Sequence, residues 1–371
     1  MKILLLGEYS NVHWTLAEAF RKLGHEVTVV SNGDFWKDYP RDIDLSRTYD
    51  KWGGIKYGMH LLSILPKLRG YDVVQLINPM FLELKASHIL KIYKCLRRHN
   101  KKIYLGAFGM DYYWVMTCCT DKPLRYSDFN IGNELRNNAD ALKERADWLN
   151  TDKEILNKYI ANDCDGIIAG LYEYDVCYRL HFPDKTTFIP FPINIAPAIC
   201  EEPTPMEKHG KTWPLRLFIG INKERSEYKG TDIMLRAAEA IKNKYPEKVE
   251  LRIAESVPFH EYVEMMNGAD AILDQLYSYT PSMNPLEAMK HGIICIGGGE
   301  PENYEILHEA DLRPIVNVQP NYESVYEELE KLLTSSETVV KLQQQSRQYV
   351  LKHHESQKVA QQYVQFYLKK Q

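Results

Sequence analysis

Residues 280–299 read "TPSMNPLEAMKHGIICIGGG". Asn284 is a favoured helix N-cap, and Pro285 suits the first helical position. Glu287 then falls third, where a capping box places its carboxylate. Gly292 stops the helix, an apolar strand follows, and Gly297, Gly298 and Gly299 close the stretch. A helix start presents free N–H groups and partial positive charge, and glycines let backbone approach a ligand closely. Glu287 therefore has two readings. It caps its own helix, or it accepts hydrogen bonds from a ribose diol whose phosphates sit at the helix start.

The same strand, turn and helix grammar extends outward. Upstream, "LRLFIGI" (215–221) is a strand, "NKERSEYK" a basic loop and "TDIMLRAAEAIKNKYP" a helix. "VELRIAE" (249–255), "AILDQL" (271–276) and "PIVNV" (314–318) are further strands, and the chain is nearly all helical from about Glu323. Leu342, Val350, Val359, Tyr363 and Phe366 give that tail its apolar stripes. The first half repeats the alternation with "KILLLG" (2–7), "EVTVVS" (26–31), "DVVQLI" (72–77), "KIYLGAFG" (102–109) and "DGIIAG" (165–170). Near-continuous apolar runs imply parallel sheets covered on both faces.

The expected class is α/β with two Rossmann-like domains facing an interdomain cleft, plus a helical C-terminal tail. Prolines crowd residues 190–214, which places a linker at 196–213 between domains at 1–195 and 214–350. The final helix, 351–371, is expected to pack back on the first domain. A charged insertion at about 111–163, aromatic at its start, is expected to shape the ligand crevice.

With 371 residues, 44% of them hydrophobic, each domain can bury a core. A net charge of −4 argues against a nucleic-acid partner. The seven cysteines are scattered without Cys-x-x-Cys or zinc spacing, as in a reducing cytoplasm. The opening "MKILLLGEYS" is too short an apolar run for a signal peptide, and no stretch approaches the ~18 apolar residues that would span a bilayer.

"PSMNPLEAMKHGIICIGGG" resembles the nucleotide-sugar site of GT-B glycosyltransferases, specifically the large family-4 group of retaining enzymes. "FIGINKERSEYKGTDIMLRAA" is similar to a second element of that family, "IPFPIN" to its hinge entry, and "GEYSNVHWTLAEAFRKLGHEVTVVS" to its N-terminal opening. The resemblance implies that Glu287 binds the donor ribose and that Lys229 contacts the diphosphate. It implies that Lys223 stands where the family usually has an arginine, with Arg225 able to substitute. Ser282, Met283 and Asn284 are then expected to line the donor through backbone groups. Fixed cations and a helix N-terminus stabilise a departing diphosphate without a metal, so neither metal nor other cofactor is expected.

The family often has a second glutamate eight residues before the first, and here that position is Tyr279. The substitution puts the usual sugar contact in question, though not the nucleotide site. Gly7 stands without the rest of a Gly-x-Gly-x-x-Gly fingerprint, which argues against a dinucleotide. Gly7 and His13, at the first loop, are candidate substrate contacts. Asp111, after "GAFGM", either binds or deprotonates an acceptor hydroxyl or caps a turn. Asp42 and Asp44 of "RDID" mimic a metal motif but lack its context. "KIYKCLRRHNKK" (91–102) is either a helix end whose cations match its dipole or a patch for anionic lipid.

The expected activity is transfer of a sugar from a nucleoside diphosphate donor to a hydroxyl of a saccharide or lipid-linked acceptor, with retention. The expected place is the cytoplasm, with the basic patch leaving peripheral contact with the membrane's inner face open. The alternatives are a catalytically impaired nucleotide-sugar-binding protein on the same scaffold and a nucleotide-sugar epimerase.

Overall fold

The apolar runs read as strands become parallel strands. In the computed structural model, which describes residues 1–257 and 259–369, the first strands are β1 (Lys2–Leu6), β2 (Glu26–Ser31), β3 (Ile43–Asp44), β4 (Val73–Leu76) and β5 (Lys102–Ala107). A small hairpin, β6 (Asn130–Ile131) and β7 (Glu134–Leu135), precedes β8 (Gly166–Ala169) and β9 (Thr186–Phe188). The chain divides into two units. The first comprises Met1–Pro123, Glu144–Pro192 and the stretch from Ser356 onward; the second comprises Leu124–Lys143 and Ile193–Glu355.

In the first unit the sheet order is β3-β2-β1-β4-β5-β8-β9, all parallel. Strand β1 is interior to the sheet, with Leu4 in register with Thr28 on one side and Val74 on the other. Its Ile3, Leu4, Leu5 and Leu6 are buried, as a two-faced strand requires. The order reverses between β1 and β4, the kind of switch point at which open sheets bind ligands. Helix α1 (Val12–Lys22) covers one face with Leu16 and Phe20. The helix Ser356–Leu368 lies against it: the Phe20 and Tyr363 ring centroids are 6.1 Å apart, and those of Tyr104 and Tyr367 are 4.8 Å apart. Lys102 Nζ donates to the carbonyls of Tyr367 (2.7 Å) and Lys369 (3.1 Å), a cation where the helix dipole is negative.

The second unit is built on β10 (Leu215–Ile221), β11 (Val249–Glu255), β12 (Ala271–Leu273), β13 (Ile294–Gly297) and β14 (Val316–Asn317). Their order is β11-β10-β12-β13-β14, again parallel. One core joins Leu217, Ile219, Met234, Leu273, Ile296 and Val339, so the helices Thr231–Lys244 and Ser336–His353 close one face. Gln343 enters that core with its amide satisfied, accepting from Met206 N (3.1 Å) and donating to Asp270 O (3.2 Å) and Oδ1 (3.1 Å). The proline-rich stretch is not all extended. Pro205 opens a short helix, Pro205–Lys208, with Thr204 and Glu207 forming a capping box.

Residues 124–143 leave the first half of the sequence and build onto the second unit. Two arginines attach them. Arg136 sets its guanidinium 3.4 Å from the centroid of Tyr277 and donates to the carbonyls of Glu227 (2.9 Å) and Tyr228 (3.1 Å). Arg125 reaches the Glu300 and Glu302 carboxylates.

Candidate functional site

In the second unit the site grows from the carboxyl ends of β10 and β12. After β10 the chain runs through Lys223, Arg225 and Lys229 to Gly230, which turns with φ +74° into the helix Thr231–Lys244. A Cβ on Gly230 would stand 2.9 Å from Leu276 Cβ, so the turn needs glycine on both counts. Lys223 pairs with Glu255 at 3.2 Å, both exposed. The Arg225 guanidinium lies 4.9 Å from the Tyr228 ring centroid. Lys229 accepts the Leu276 N–H through its carbonyl (2.9 Å) and brings its ammonium charge to bear on Asp274.

Asp274 follows β12, and burial pushes its carboxyl up to about 6 against the opposing pull of Lys229 and Asn284. Asn284 Nδ2 in turn donates to Tyr262 Oη (2.7 Å). Strand ends, basic loop and helix start therefore meet in one cluster: Lys229, Asp274, Asn284 and Tyr262. Asp274 was not singled out by sequence, yet its signal is there, a carboxylate ending the apolar run "AILD".

The helix carrying Glu287 spans Met283–Lys290 with Ser282 as its N-cap. This corrects the expected start at Asn284. Pro285 is the third helical residue, which costs nothing because first-turn N–H groups have no intrahelical acceptor. Glu287 is fifth, too far along to reach back to the cap, so the capping-box reading fails. Its carboxylate instead pairs with Lys290 one turn on and remains 37% exposed. Ser282 and Asn284 are half-buried and Met283 is buried. The glycines after β13 are a packing need as well: a Cβ on Gly298 would lie 2.2 Å from Ser278 O.

Tyr279, in the place of the family's second glutamate, is buried under the arm formed by residues 124–143. Its hydroxyl accepts the Arg125 backbone N–H at 2.7 Å, its ring meets that of Tyr126 at 4.9 Å, and the Arg125 guanidinium lies 4.9 Å from its centroid. Glu300, directly after the glycines, accepts from Arg125 Nη2 (2.6 Å), Tyr126 Oη (2.6 Å) and Gln319 Nε2 (2.8 Å). Burial works to raise the Glu300 pKa, but these donors outweigh it and hold the carboxyl below its ordinary range. No spacing in the sequence announces this arm, because its partners lie from 91 to 177 residues downstream.

In the first unit two candidate ligand contacts, Asp111 and His13, are enclosed by the fold. Asp111 is fully buried as the N-cap of the helix Tyr112–Thr120. Its oxygens accept from Trp114 N (2.9 Å) and Tyr178 Oη (2.7 Å), and burial pushes its carboxyl up to about 7. Both carboxyl oxygens are thus engaged within the first unit. His13 is also fully buried, with Nδ1 2.7 Å from Gly7 O and Nε2 3.2 Å from Gln75 Nε2. Burial lowers its pKa to about 3, so the ring is neutral and donates from Nδ1. Both residues sit at loop–helix junctions, where polar types serve structure and ligand alike.

Gly7 has a different setting. It lines a cavity of about 750 Å³ above β1, β2 and β4, with Glu8, Ser31, Tyr57, Glu83 and Lys153 among the walls. Glu8 accepts the N–H groups of His13 (3.1 Å) and Trp14 (2.9 Å) and so caps α1 from outside the helix. Burial pushes its carboxyl up to about 8. The patch at 91–102 is largely committed to the protein. Arg97 pairs with Asp163 and Asp165, Lys101 with Asp72 (2.7 Å), and Lys102 holds the final helix. Among the described residues no group of three or more His, Cys, Asp or Glu side chains is placed to hold a metal, and no helix is long and apolar enough to cross a membrane.

No protein-family model and no curated protein matches the chain. Solved structures do match along its whole length. Sucrose-phosphate synthase from Thermosynechococcus elongatus aligns with TM-score 0.62 and 13% identity over 99% of this chain and 98% of its own. HepE from Anabaena, solved with UDP-glucose, aligns with TM-score 0.59 and 10% identity over 98% of each chain. WaaG, a glycosyltransferase of lipopolysaccharide biosynthesis, aligns with TM-score 0.54 and 15% identity over 100% of each. The strand orders, the helical C-terminus and these full-length alignments together establish that the chain has the GT-B fold of glycosyltransferases.

Proposed function

We propose that the chain is a glycosyltransferase that moves a sugar from a nucleoside diphosphate donor to a hydroxyl of a saccharide or lipid-linked acceptor, retaining anomeric configuration. One observation carries the reading. Lys229, buried Asp274 and Asn284 converge where β10 and β12 end and the helix Met283–Lys290 begins, with the half-exposed Glu287 carboxylate on that helix. HepE, of the same fold, holds UDP-glucose. In this reading Lys223, Arg225 and Lys229 face the diphosphate, backbone groups of Ser282, Met283 and Asn284 line it, and Glu287 accepts the ribose hydroxyls. Asp274 positions Lys229 and Asn284.

The cavity beside Gly7 receives the acceptor. The acceptor oxygen bonds to the anomeric carbon on the face the leaving group departs from. The carbon–oxygen bond to the diphosphate breaks, and the hydroxyl proton passes to the departing phosphate. Charge on that phosphate grows through the step, so fixed cations stabilise the transition state more than the ground state. Asp111 has no part in it.

Incubation with UDP-, GDP- and ADP-sugars, followed by nucleotide release and product NMR, tests the reading. Transfer or hydrolysis with the donor's anomeric configuration kept supports it. Donor isomerisation identifies an epimerase instead. Tight binding of a donor without turnover favours an impaired binding protein, a reading supported by Tyr279 lying closed under Arg125.

A further inference from the structure

Helix α2 (Gly53–Ile64) has two apolar faces. Gly53, Tyr57, Leu61 and Ile64 are buried. Ile55, Met59 and Leu62, with Trp52 at the helix start, recur at steps of three, four and three residues. They therefore share the opposite side of a 3.6-residue helix. Their exposures are 64% for Trp52, 55% for Ile55, 60% for Met59 and 65% for Leu62. Scattered exposed apolar residues are ordinary, but an aligned stripe of four on one helix is a binding face. Exposed Phe35 and Tyr49 line the same cavity as Tyr57, so aromatic surface adjoins the helix.

The charge around the stripe selects its partner. Residues 47–69 hold Arg47, Lys51, Lys56, Lys67 and Arg69 against the single carboxylate of Asp50, in a chain whose net charge is −4. Asp50 is shared with Lys56 at 3.1 Å. A second copy of this chain would bring like charges together on this face. An anionic bilayer surface satisfies both parts: apolar and aromatic side chains enter the headgroup–acyl boundary while cations meet lipid phosphates. We propose that α2 lies in the interface plane of an anionic membrane with Trp52, Ile55, Met59 and Leu62 inserted. Tyr57 on its other face lines the cavity, so a lipid-borne acceptor has a short path inward. Only that last point rests on the transfer reading. Vesicle binding is measured without donor or acceptor, so either idea can fail alone.

The test is co-sedimentation with vesicles of phosphatidylcholine and of an equimolar mixture with phosphatidylglycerol. Wild type is expected on the mixed vesicles only. Replacing Ile55, Met59 and Leu62 by Ser together should abolish binding while the protein stays folded, with a melting temperature lowered only by the weaker helix propensity of Ser, since all three are exposed. Lys51→Gln with Lys67→Gln should weaken it by about thirtyfold, at roughly fivefold per cation lost. No binding by wild type, equal binding to pure phosphatidylcholine, or either variant binding like wild type overturns the proposal. So does a wild-type dimer in solution that the triple Ser variant dissociates, which would assign the face to a second copy.

Discussion

Glu287 holds its ion pair with Lys290 at the surface of its helix, and that position separates two effects of one substitution. As a half-exposed pair it contributes about 0–1 kcal/mol, so Glu287→Gln should leave the melting temperature nearly unchanged. On the proposed reading the same change weakens charge-assisted bonds to a ribose diol, worth about 1.5–3 kcal/mol, or roughly ten- to a hundredfold in donor affinity. Calorimetric titration with the active donor decides; unaltered affinity would return Glu287 to a purely structural role. Glu8 makes a prediction of opposite character. Its carboxyl is raised by burial from 4.5 to about 8, so between those values the folded protein keeps a proton that the unfolded chain has lost. Stability of the first unit must then fall as pH rises through that window. Glu8→Gln should flatten the decline, read as hydrogen exchange of the β1 amides at the two ends of the window. Equal slopes in both proteins would mean that Glu8 is ionised in the fold.

At the scale of elements, glycine positions carry opposite signs. Gly298 abuts Ser278 O, a backbone atom that cannot swing aside, so Gly298→Ala should cost about 1–3 kcal/mol by overpacking the turn after β13. Gly58, inside α2, has nothing within 4 Å of its absent Cβ and no positive φ. There Ala should stabilise the helix by about 0.5–1 kcal/mol. Chemical denaturation of both variants checks the pair, and Gly58→Ala also leaves the apolar stripe of α2 intact. The elements most legible in the sequence were those that are locally determined. Runs such as "KILLL", "EVTVVS" and "LRLFIGI" are apolar throughout and bounded by polar or glycine residues, so their strands could be read directly. The two-residue edge strand β3 and the short β9 carry too few residues for a pattern. The Glu287 helix was likewise legible, though its start was misread by two residues because Asn284 and Pro285 mimic a cap pair; the stretch read as a basic loop forms two short helical turns, Lys223–Arg225 and Ser226–Lys229. For Asp111 and His13 the sequence left ligand and structural readings open, because a polar residue type does not report burial; the fold gives Asp111 its cap role and encloses His13. The arm at 124–143 escaped altogether, since Arg125 and Arg136 find their rings and carboxylates far along the chain.

For the whole molecule, the composite first unit is the consequential fact. Its last piece, the helix Ser356–Leu368, buries Val359, Tyr363 and Tyr367. Deleting a buried aromatic side chain alone typically costs about 3–5 kcal/mol, against a whole-domain stability of about 5–15 kcal/mol. A chain stopped after Glu355 should therefore lose protection at β1 and β5 in hydrogen exchange while β10, β12 and β13 keep theirs. Full protection of β1 in the shortened chain would show that the helix is dispensable. The chain passes between the units four times, after residues 123, 143, 192 and 355. Both pieces of the second unit precede Ser356 in sequence, and one piece of the first follows it. On a ribosome, then, the half that is begun first is finished after the other: the second unit emerges complete while the first still waits, Gln75 of β4 and Tyr104 of β5 uncovered, for the helix Ser356–Leu368 to clear the exit tunnel.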